Sequence, residues 1–316
     1  MIDQYGRSIR YLRLSVTDRC NMRCRYCMPE EGVPLKKHDD MLTEDEMILA
    51  VRIAARLGVT KLRLTGGEPL VKKNILSICE RAAAVDGIRE VCMTTNGTLL
   101  RKMAEPLKRA GLRRVNISLD TLDADKYARM TRGGDLRQAL DGLDAALGAG
   151  FDKVKINAVL IGGYNDDEIP ALAELTKRYP VDLRFIELMP MPGGAVFGDE
   201  SYIPADRVLE ALPDAVPEGS AGVSRLYRLP EAPGRIGLIS PLSRHFCDSC
   251  DRIRLTADGR LKPCLHSPEE ISVKGLGEEA MEQRMREAIW GKPRRHGELS
   301  EESRSCAQRN LNQIGG

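Results

Sequence analysis

The chain has 316 residues, of which 42% are hydrophobic and 30% charged, a composition typical of a folded globular protein. A net charge of +2 and an aromatic content of 4% argue against a nucleic-acid-binding surface. No apolar run reaches the roughly 20 residues that cross a bilayer, and the N-terminus lacks the apolar core of a secretory signal. We therefore expect a cytoplasmic protein without a membrane partner.

Short β-rich runs alternate with amphipathic helical patterns over the first 190 residues. The predicted strands are 11–17, 61–65, 90–95, 114–119, 153–160 and 182–188. The predicted helices are 43–57, 74–85, 99–110, 135–148 and 166–178. A capping box begins the first helix at Thr43, and glycines suited to helix ends follow three helices at Gly58, Gly111 and Gly150. Six β/α repeats predict a parallel sheet with right-handed crossovers.

Polar residues interrupt these strands at Arg63, Asn116, Lys155, Asn157 and Arg184. Such residues are costly on a parallel strand unless one strand face lines a wet cavity. The pattern favours an incomplete (β/α)6 barrel of the TIM type over a doubly wound sheet. In such barrels the chemistry lies at the C-terminal ends of the strands. The segments at those ends are Cys20–Cys27, Gly66–Pro69, Thr94–Gly97 and Ser118–Asp120.

The character of the sequence changes at Met191, where Gly and Pro become dense and the regular alternation stops. The runs RIRLT and LKPCL around Asp258-Gly259 predict a β-hairpin. A last helix is predicted at 278–290. We therefore divide the α/β chain into a partial barrel, 1–190, and a C-terminal module, 191–316, that covers the barrel opening.

Six of the nine cysteines fall into two triads. The first triad (Cys20, Cys24 and Cys27) lies in a loop after a strand, where three thiolates suit a [4Fe–4S] cluster with one open iron. The alternatives are a zinc site, for which His38 is a possible fourth ligand, and three inert cysteines. The spacing of the second triad (Cys247, Cys250 and Cys264) fits zinc and iron–sulfur equally well, with His245 or His266 as a possible further ligand. The isolated residues Cys79, Cys92 and Cys306 are expected to be packing or surface residues.

Several segments carry a resemblance to known families. Tyr26 before the third cysteine, joined with Gly66-Gly67-Glu68-Pro69 after the second strand, resembles the radical S-adenosylmethionine (SAM) superfamily. SVTDRCNMRCRYCMP, GRIGLISPLSRHFCDSCDRIRLTADGRLKPCL and the terminal Gln313-Ile314-Gly315-Gly316 resemble the GTP 3′,8-cyclases of molybdenum cofactor biosynthesis. This resemblance runs over nearly the whole chain, 6–316.

The resemblance implies two [4Fe–4S] clusters, one on each triad. The first would cleave SAM to a deoxyadenosyl radical, and the second would contact the guanine of GTP. The implied SAM contacts are Tyr26, Gly67, Ser118 and Met189. The implied GTP contacts are Arg13, Arg63, Thr94, Lys155, Arg252, Ile253 and Arg254, with Arg13 also catalytic. Lys61 and Arg184 are added because cations on separate strands suit a triphosphate.

The implied reaction converts GTP to (8S)-3′,8-cyclo-7,8-dihydroguanosine 5′-triphosphate, the first step of molybdopterin formation. An external electron donor, a homodimer and transfer of the product to cyclic pyranopterin monophosphate synthase are expected with it. The terminal diglycine is expected to insert toward the active site. Two departures from the family are Asp251, where Asn is common, and the stretch 309–312, which lacks the usual Met.

Two other functions remain open from the residues. A radical SAM peptide maturase with auxiliary clusters would share this layout but usually carries more C-terminal cysteines. A zinc-stabilised binding protein would be colourless and would not turn over SAM.

Overall fold

The computed structural model describes residues 1–34, 36–194, 197, 201–297, 299 and 304–315. The strands of the barrel region are β1 (Tyr11–Ser15), β2 (Lys61–Thr65), β3 (Glu90–Thr95), β4 (Arg114–Ser118), β5 (Lys153–Leu160) and β6 (Asp182–Glu187). Those that follow are β7 (Val216–Ala221), β8 (Ser224–Arg228), β9 (Arg235–Ile239), β10 (Arg252–Leu255), β11 (Arg260–Lys262) and β12 (Ile271–Ser272).

Helices fill the connections between these strands. The longer ones are α1 (Glu44–Arg56), α2 (Ile75–Ala83), α3 (Leu100–Arg109), α4 (Ala124–Thr131), α5 (Leu136–Gly148) and, after the strands, α9 (Glu278–Trp290). The shorter ones are α6 (Ile169–Ala173), α7 (Leu175–Arg178), α8 (Arg207–Ala211) and α10 (Leu311–Ile314).

All twelve described strands belong to one open sheet, in the order β12-β11-β10-β1-β2-β3-β4-β5-β6-β9-β8-β7. The run from β10 through β1–β6 to β9 is parallel. The outer strands pair antiparallel. The C-terminal strands therefore extend the barrel sheet at both of its edges, a closer union than the covering module expected from the sequence. The boundary at residue 190 stays a prediction.

The local predictions for the barrel agree with this structure to within a few residues. Thr43 accepts a hydrogen bond from the Glu46 main chain at 3.2 Å, and the Glu46 carboxylate accepts one from the Thr43 main chain at 2.8 Å, which is the predicted capping box. The predicted helix 166–178 is instead a 3-10 turn followed by α6 and α7, with Pro170 in the first turn of α6. The eight-residue α4 was missed because it is shorter than the window in which helical periodicity is readable.

Alternation along the inner strands separates the core from a polar cavity. Leu12 and Leu14 on β1, and Leu62 and Leu64 on β2, are fully buried in the main apolar core. Because successive side chains of a strand point to opposite faces, the residues between them face inward. None of the described helices is both long and apolar enough to span a membrane.

Candidate active site

The inner face of the sheet and the C-terminal residues form the walls of a partly open cavity of about 1090 Å³. Both cysteine triads line it, and so do polar side chains from strands β1–β6. The interior cavity expected from polar strand residues is therefore present, with Asn116, Asn157 and Arg184 among its lining residues. A cavity of this size is large enough for two small-molecule ligands side by side.

The first triad lies at the cavity wall after β1. Burial raises the pKa of the Cys20 thiol to about 11. The pKa of Cys24 is raised by burial and then by the neighbouring Cys27, whose own pKa burial also raises. The three thiols are partly buried and line the same cavity, and thiolates suit a soft metal centre. His38 is exposed and does not line the cavity, so the described structure does not support it as a fourth ligand.

The glycine-rich loop after β2 is bound tightly to the cysteine loop. The Gly67 main chain donates to Thr17 O at 2.8 Å, and the Glu68 main chain donates to Arg19 O at 2.8 Å. A Cβ on Gly67 would lie 2.3 Å from Arg19 O, so only glycine allows this approach. Tyr26, Gly67, Ser118 and Met189, the four residues predicted to contact SAM, all line the cavity.

Two buried carboxylates stand beside these residues. Glu68 accepts hydrogen bonds from Thr95 Oγ1 at 2.7 Å and from the Asn96 main chain at 2.7 Å, and burial raises its pKa to about 7. Asp120 accepts a hydrogen bond from the Tyr26 hydroxyl at 2.8 Å, and burial raises its pKa to about 6. The sequence placed Asp120 in the segment Ser118–Asp120 at the strand ends but gave it no role of its own. Its position at the end of β4 was the only available signal.

The predicted phosphate-binding cations come from different strands of the same wall. Arg254, Arg13 and Arg63 are register partners across β10, β1 and β2. Burial and repulsion from Arg254 lower the pKa of Arg13. Burial and repulsion from Arg252 lower that of Arg254 to about 10. Cations crowded in this way favour an anionic ligand. The predicted residues that line the cavity are Arg13, Lys61, Arg63, Thr94, Lys155, Arg184, Arg252 and Arg254.

Ile253 is the exception among the predicted substrate contacts. It is 1% exposed and belongs to the apolar core, while its neighbours Arg252 and Arg254 line the cavity. The alternation of side chains along β10 accounts for this difference. The structure therefore does not bring the Ile253 side chain to the site.

Some of these cations already form hydrogen bonds or ion pairs with other residues of the chain. Arg63 donates to the Tyr11 hydroxyl, to Met93 O at 3.2 Å and to Thr94 Oγ1 at 3.2 Å. Lys155 pairs with the buried Asp182 at 2.5 Å. Other polar atoms have no hydrogen-bond partner among the described residues, and a bound ligand could supply one. The cavity-lining residues with such buried atoms are Arg114, Asn116, Asn157, Arg184, Arg252 and Asn312.

The second triad faces the cavity from the C-terminal part of the chain. Cys247 begins a 3-10 turn that is closed by a bond from Cys250 N to Cys247 O at 3.1 Å, and Cys264 follows β11. His245 Nδ1 and His296 Nε2 are 3.3 Å apart. Each of these two histidines lies with Cys247 in a group whose ligand atoms are all within 4.8 Å of one another. His296 was missed because 49 residues separate it from Cys247 in the sequence. The predicted ligands Cys250 and Cys264 line the cavity but do not belong to that group, and these donors do not decide between zinc and iron–sulfur.

The described end of the chain reaches the same cavity. Gly315 O accepts hydrogen bonds from Arg254 at 2.5 Å and from Arg13 at 3.5 Å. A Cβ on Gly315 would lie 2.2 Å from Thr65 Oγ1. Gly315 thus contacts two cavity-lining arginines, while insertion of the diglycine stays a prediction, and Gly316 lies outside the described residues. Cys79 and Cys92 are buried and Cys306 is exposed, as expected of residues outside a site.

Comparison with known proteins covers both halves of the chain. A model described as the radical SAM superfamily matches residues 14–176, and one described as Molybdenum Cofactor Synthesis C matches residues 181–298. The GTP 3′,8-cyclase of Alkaliphilus metalliredigens (strain QYMF) is 46% identical over 321 residues, with 100% of both chains covered. That of Pelotomaculum thermopropionicum is 47% identical over 329 residues, again with 100% of both covered. The chain belongs to the GTP 3′,8-cyclase family of radical SAM enzymes.

Solved structures agree with this family at the level of the fold. Streptococcus suis SuiB superposes with a TM-score of 0.66 at 18% identity, covering 91% of this chain and 66% of that one. SuiB bound to S-adenosylmethionine gives a TM-score of 0.65 at 16% identity, covering 91% and 64%. Radical SAM membership implies one [4Fe–4S] cluster and SAM binding, and the three cavity-lining thiols of the first triad suit that cluster.

Proposed function

We propose that this enzyme converts GTP to (8S)-3′,8-cyclo-7,8-dihydroguanosine 5′-triphosphate, the first step of molybdenum cofactor biosynthesis. The observation that carries the proposal is one cavity lined by two cysteine triads, with a row of register-paired arginines on its wall. A radical SAM enzyme needs SAM beside its cluster, and the cavity has room for a nucleotide as well.

SAM would occupy the side of the cavity formed by the ends of β1–β4. Cys20, Cys24 and Cys27 would hold the cluster, which supplies the electron that cleaves SAM. Because Gly67 has no side chain, its backbone can lie close to the cysteine loop. Ser118 and Met189 would form the rest of the cavity wall around SAM. The bond from Tyr26 to Asp120 fixes the ring orientation of Tyr26. The C-terminal residues on the cavity wall would help to shield a reactive radical from water.

The triphosphate of GTP would lie against the arginine row. Arg63 is held by Tyr11 and Thr94 with its guanidinium at the cavity wall, so little reorganisation is required on binding. Arg184 and Arg252 each have a buried Nε without a described partner, which phosphate oxygens would satisfy. Arg13 would bind the phosphate oxygens and would also take part in the later radical step of the reaction. Lys155 and Lys61 would add positive charge to the phosphate site. Lys155 forms an ion pair with Asp182, and Lys61 forms one with Glu90.

The guanine would face the second triad, which we propose holds a second [4Fe–4S] cluster on Cys247, Cys250 and Cys264. Asp251 also lines this part of the cavity. Gly315 O accepts hydrogen bonds from Arg254 and Arg13, so the tail would lie close to the bound GTP. An external electron donor, a homodimer and delivery of the product to cyclic pyranopterin monophosphate synthase complete the proposal.

Anaerobic reconstitution with iron and sulfide, followed by SAM, dithionite and GTP, tests the proposed reaction. We expect 5′-deoxyadenosine that depends on GTP, together with the cyclised nucleotide, which is an isomer of GTP and is therefore separated from it by chromatography and identified by nuclear magnetic resonance. GTP that fails to stimulate deoxyadenosine formation would overturn the proposal. One zinc and no iron per chain would favour a zinc-stabilised binding protein instead.

The role of the second triad is tested by Cys264→Ser. This variant is expected to keep the first cluster and SAM binding but to lose GTP-dependent turnover by at least about 100-fold, because one of three thiolate ligands is gone. The exposed Cys306→Ser is the matched control and should behave as the wild type. Full turnover of Cys264→Ser would remove the second cluster from the proposal.

A further inference from the structure

The guanidinium of Arg7 lies behind the second triad and is almost fully buried. Its residue is 7% exposed, and the side chain binds four main-chain carbonyls and one carboxylate. The carbonyl bonds run from Nη1 to Cys247 O at 2.9 Å and to Arg294 O at 3.0 Å, and from Nη2 to Pro293 O at 2.8 Å and to Lys292 O at 3.4 Å. A guanidinium is the side chain with enough donors in a fixed fork for such a set.

Asp3 fixes the orientation of this guanidinium. Its Oδ2 accepts from Arg7 Nε at 2.6 Å, while its Oδ1 accepts from the main chains of Tyr5 and Arg7, both at 2.9 Å. The Asp3 side chain is fully buried. The first residues of the chain thus form a small rigid unit whose cation points at the C-terminal module.

The contacts of Arg7 reach both cysteine loops. Cys247 is held directly through its carbonyl at the start of the 3-10 turn. Lys292, whose carbonyl Arg7 binds, donates its own ammonium to Pro263 O at 2.7 Å, next to Cys264. Both Arg7 and Lys292 are buried, so water cannot readily replace either set of bonds.

We propose that Arg7 is a positioning residue for the second metal centre, holding the Cys247 loop and, through Lys292, the Cys264 loop at the separation that one cluster requires. The proposal rests on the second cluster of the proposed function. Arg7 does not line the cavity, and it contacts Cys247 only at the main-chain carbonyl. Its effect is therefore expected on the occupancy and spectrum of the second cluster, with the first cluster unaffected.

The decisive variants are Arg7→Lys and Arg7→Ala, with Arg10→Lys as the matched control. Arg10 belongs to the same N-terminal segment, but it is exposed and its guanidinium donates to Ser8 Oγ at 3.1 Å. Each protein is reconstituted anaerobically under one protocol. Iron and sulfide per chain, the electron paramagnetic resonance spectrum of the reduced protein, and GTP-independent cleavage of SAM are then measured. Hydrogen exchange of residues 244–250 and 292–297 reports on the two segments directly.

Two clusters correspond to about eight irons per chain. We expect Arg7→Lys to reduce occupancy of the second cluster by about twofold or more, to alter its spectrum, and to speed exchange of both segments. SAM cleavage should stay within about twofold of the wild type. Arg10→Lys should match the wild type throughout. If Arg7→Ala fails to fold, Arg7→Lys decides.

Unchanged second-cluster occupancy and spectrum in the Arg7 variants would overturn the inference. Equal loss of both clusters, or unfolding of both variants, would also overturn it, because Arg7 would then be a general folding residue. A wild-type protein that takes up the irons of one cluster would overturn the second cluster and this inference together. Two clusters in the wild type with unaltered Arg7 variants would overturn this inference alone.

Discussion

At the scale of single residues, the site depends on side chains that aim the charged groups. Arg63 is 3% exposed, and the Tyr11 hydroxyl on the neighbouring strand accepts a hydrogen bond from its Nε. The Arg63 guanidinium carbon lies 5.8 Å from the centre of the Tyr11 ring, and Lys61 Nζ lies 5.2 Å from the same centre. One aromatic residue thus supports two cations of the predicted phosphate site. Tyr11 itself was not predicted as a site residue.

Replacing Tyr11 with Phe should weaken GTP binding while leaving SAM cleavage without GTP unchanged. The ring contacts persist, but the hydroxyl that orients Arg63 is lost. A hydrogen bond to a charged group contributes about 1.5–3 kcal/mol, and Arg63 keeps its bonds to Met93 and Thr94. We therefore expect KM for GTP to rise by about three- to tenfold. Steady-state kinetics measure this.

Tyr227→Phe is the control for that measurement. Tyr227 is also buried and its hydroxyl also accepts from an arginine, Arg225, at 3.2 Å, but it lies on β8 outside the cavity wall. An unchanged KM in Tyr11→Phe, or the same change in Tyr227→Phe, would contradict the role given to Tyr11.

At the scale of elements, parallel register brings chemically related residues into rows. Thr94 on β3 is paired with Asn116 on β4, which is paired with Lys155 on β5. A second row joins Ser118, Asn157 and Arg184 across β4, β5 and β6. Because all these strands run in one direction, the loops after them meet at one rim. The cysteine loop after β1 and the glycine loop after β2 are neighbours there for that reason.

Gly67→Ala tests how closely these two loops must approach. The added methyl group would meet Arg19 O at 2.3 Å and Arg19 C at 2.6 Å, and main-chain atoms cannot move aside cheaply. We expect loss of most iron from the first cluster and of SAM binding, measured by iron analysis and equilibrium dialysis. Gly148→Ala in α5 is the control, since nothing lies within 4 Å of its added Cβ. Normal iron content and SAM affinity in Gly67→Ala would refute the close approach.

At the scale of the whole molecule, the C-terminal segment joins the two halves of the cavity wall. Ser305 N donates to Pro190 O at 3.0 Å, and Asn312 Nδ2 donates to Asp18 O at 3.1 Å beside the first triad. Arg309 donates to Glu270 at 2.7 Å and to Asp258 at 3.0 Å in the C-terminal strands. The position of Gly315 against the cavity-lining Arg13 and Arg254 thus depends on contacts along residues 304–315.

Arg309→Ala should loosen this segment without disturbing either triad. Arg309 pairs with two partly or fully buried carboxylates, so its loss leaves both without that partner. We expect faster hydrogen exchange of residues 304–315 and a fall in GTP turnover of about tenfold, with iron content preserved. Arg304→Ala, an exposed residue of the same segment, should have no effect. Unaltered exchange and turnover in Arg309→Ala would show that the tail is held by other contacts.

Much of the fold and site could be predicted because the relevant signals are local. Strand and helix patterns, the capping box at Thr43 and the glycines after the helices depend on residues a few positions apart. The spacing within the first triad, together with the Gly66–Pro69 loop, was enough to indicate an open-site cluster at a barrel rim. Ile253 shows the limit of transferring a motif as a block, since strand alternation separates it from Arg252 and Arg254.

The sequence by itself determined the β/α order, the two sets of thiols and the supply of cations. Only the tertiary structure decided that β9 and β10 extend the barrel sheet at its two edges, and that both triads therefore share one cavity. It also decided which partners orient the site: 52 residues separate Tyr11 from Arg63, 94 separate Tyr26 from Asp120, and 240 separate Arg7 from Cys247. Pairings over such distances depend on strand register and crossover packing, which no local pattern encodes.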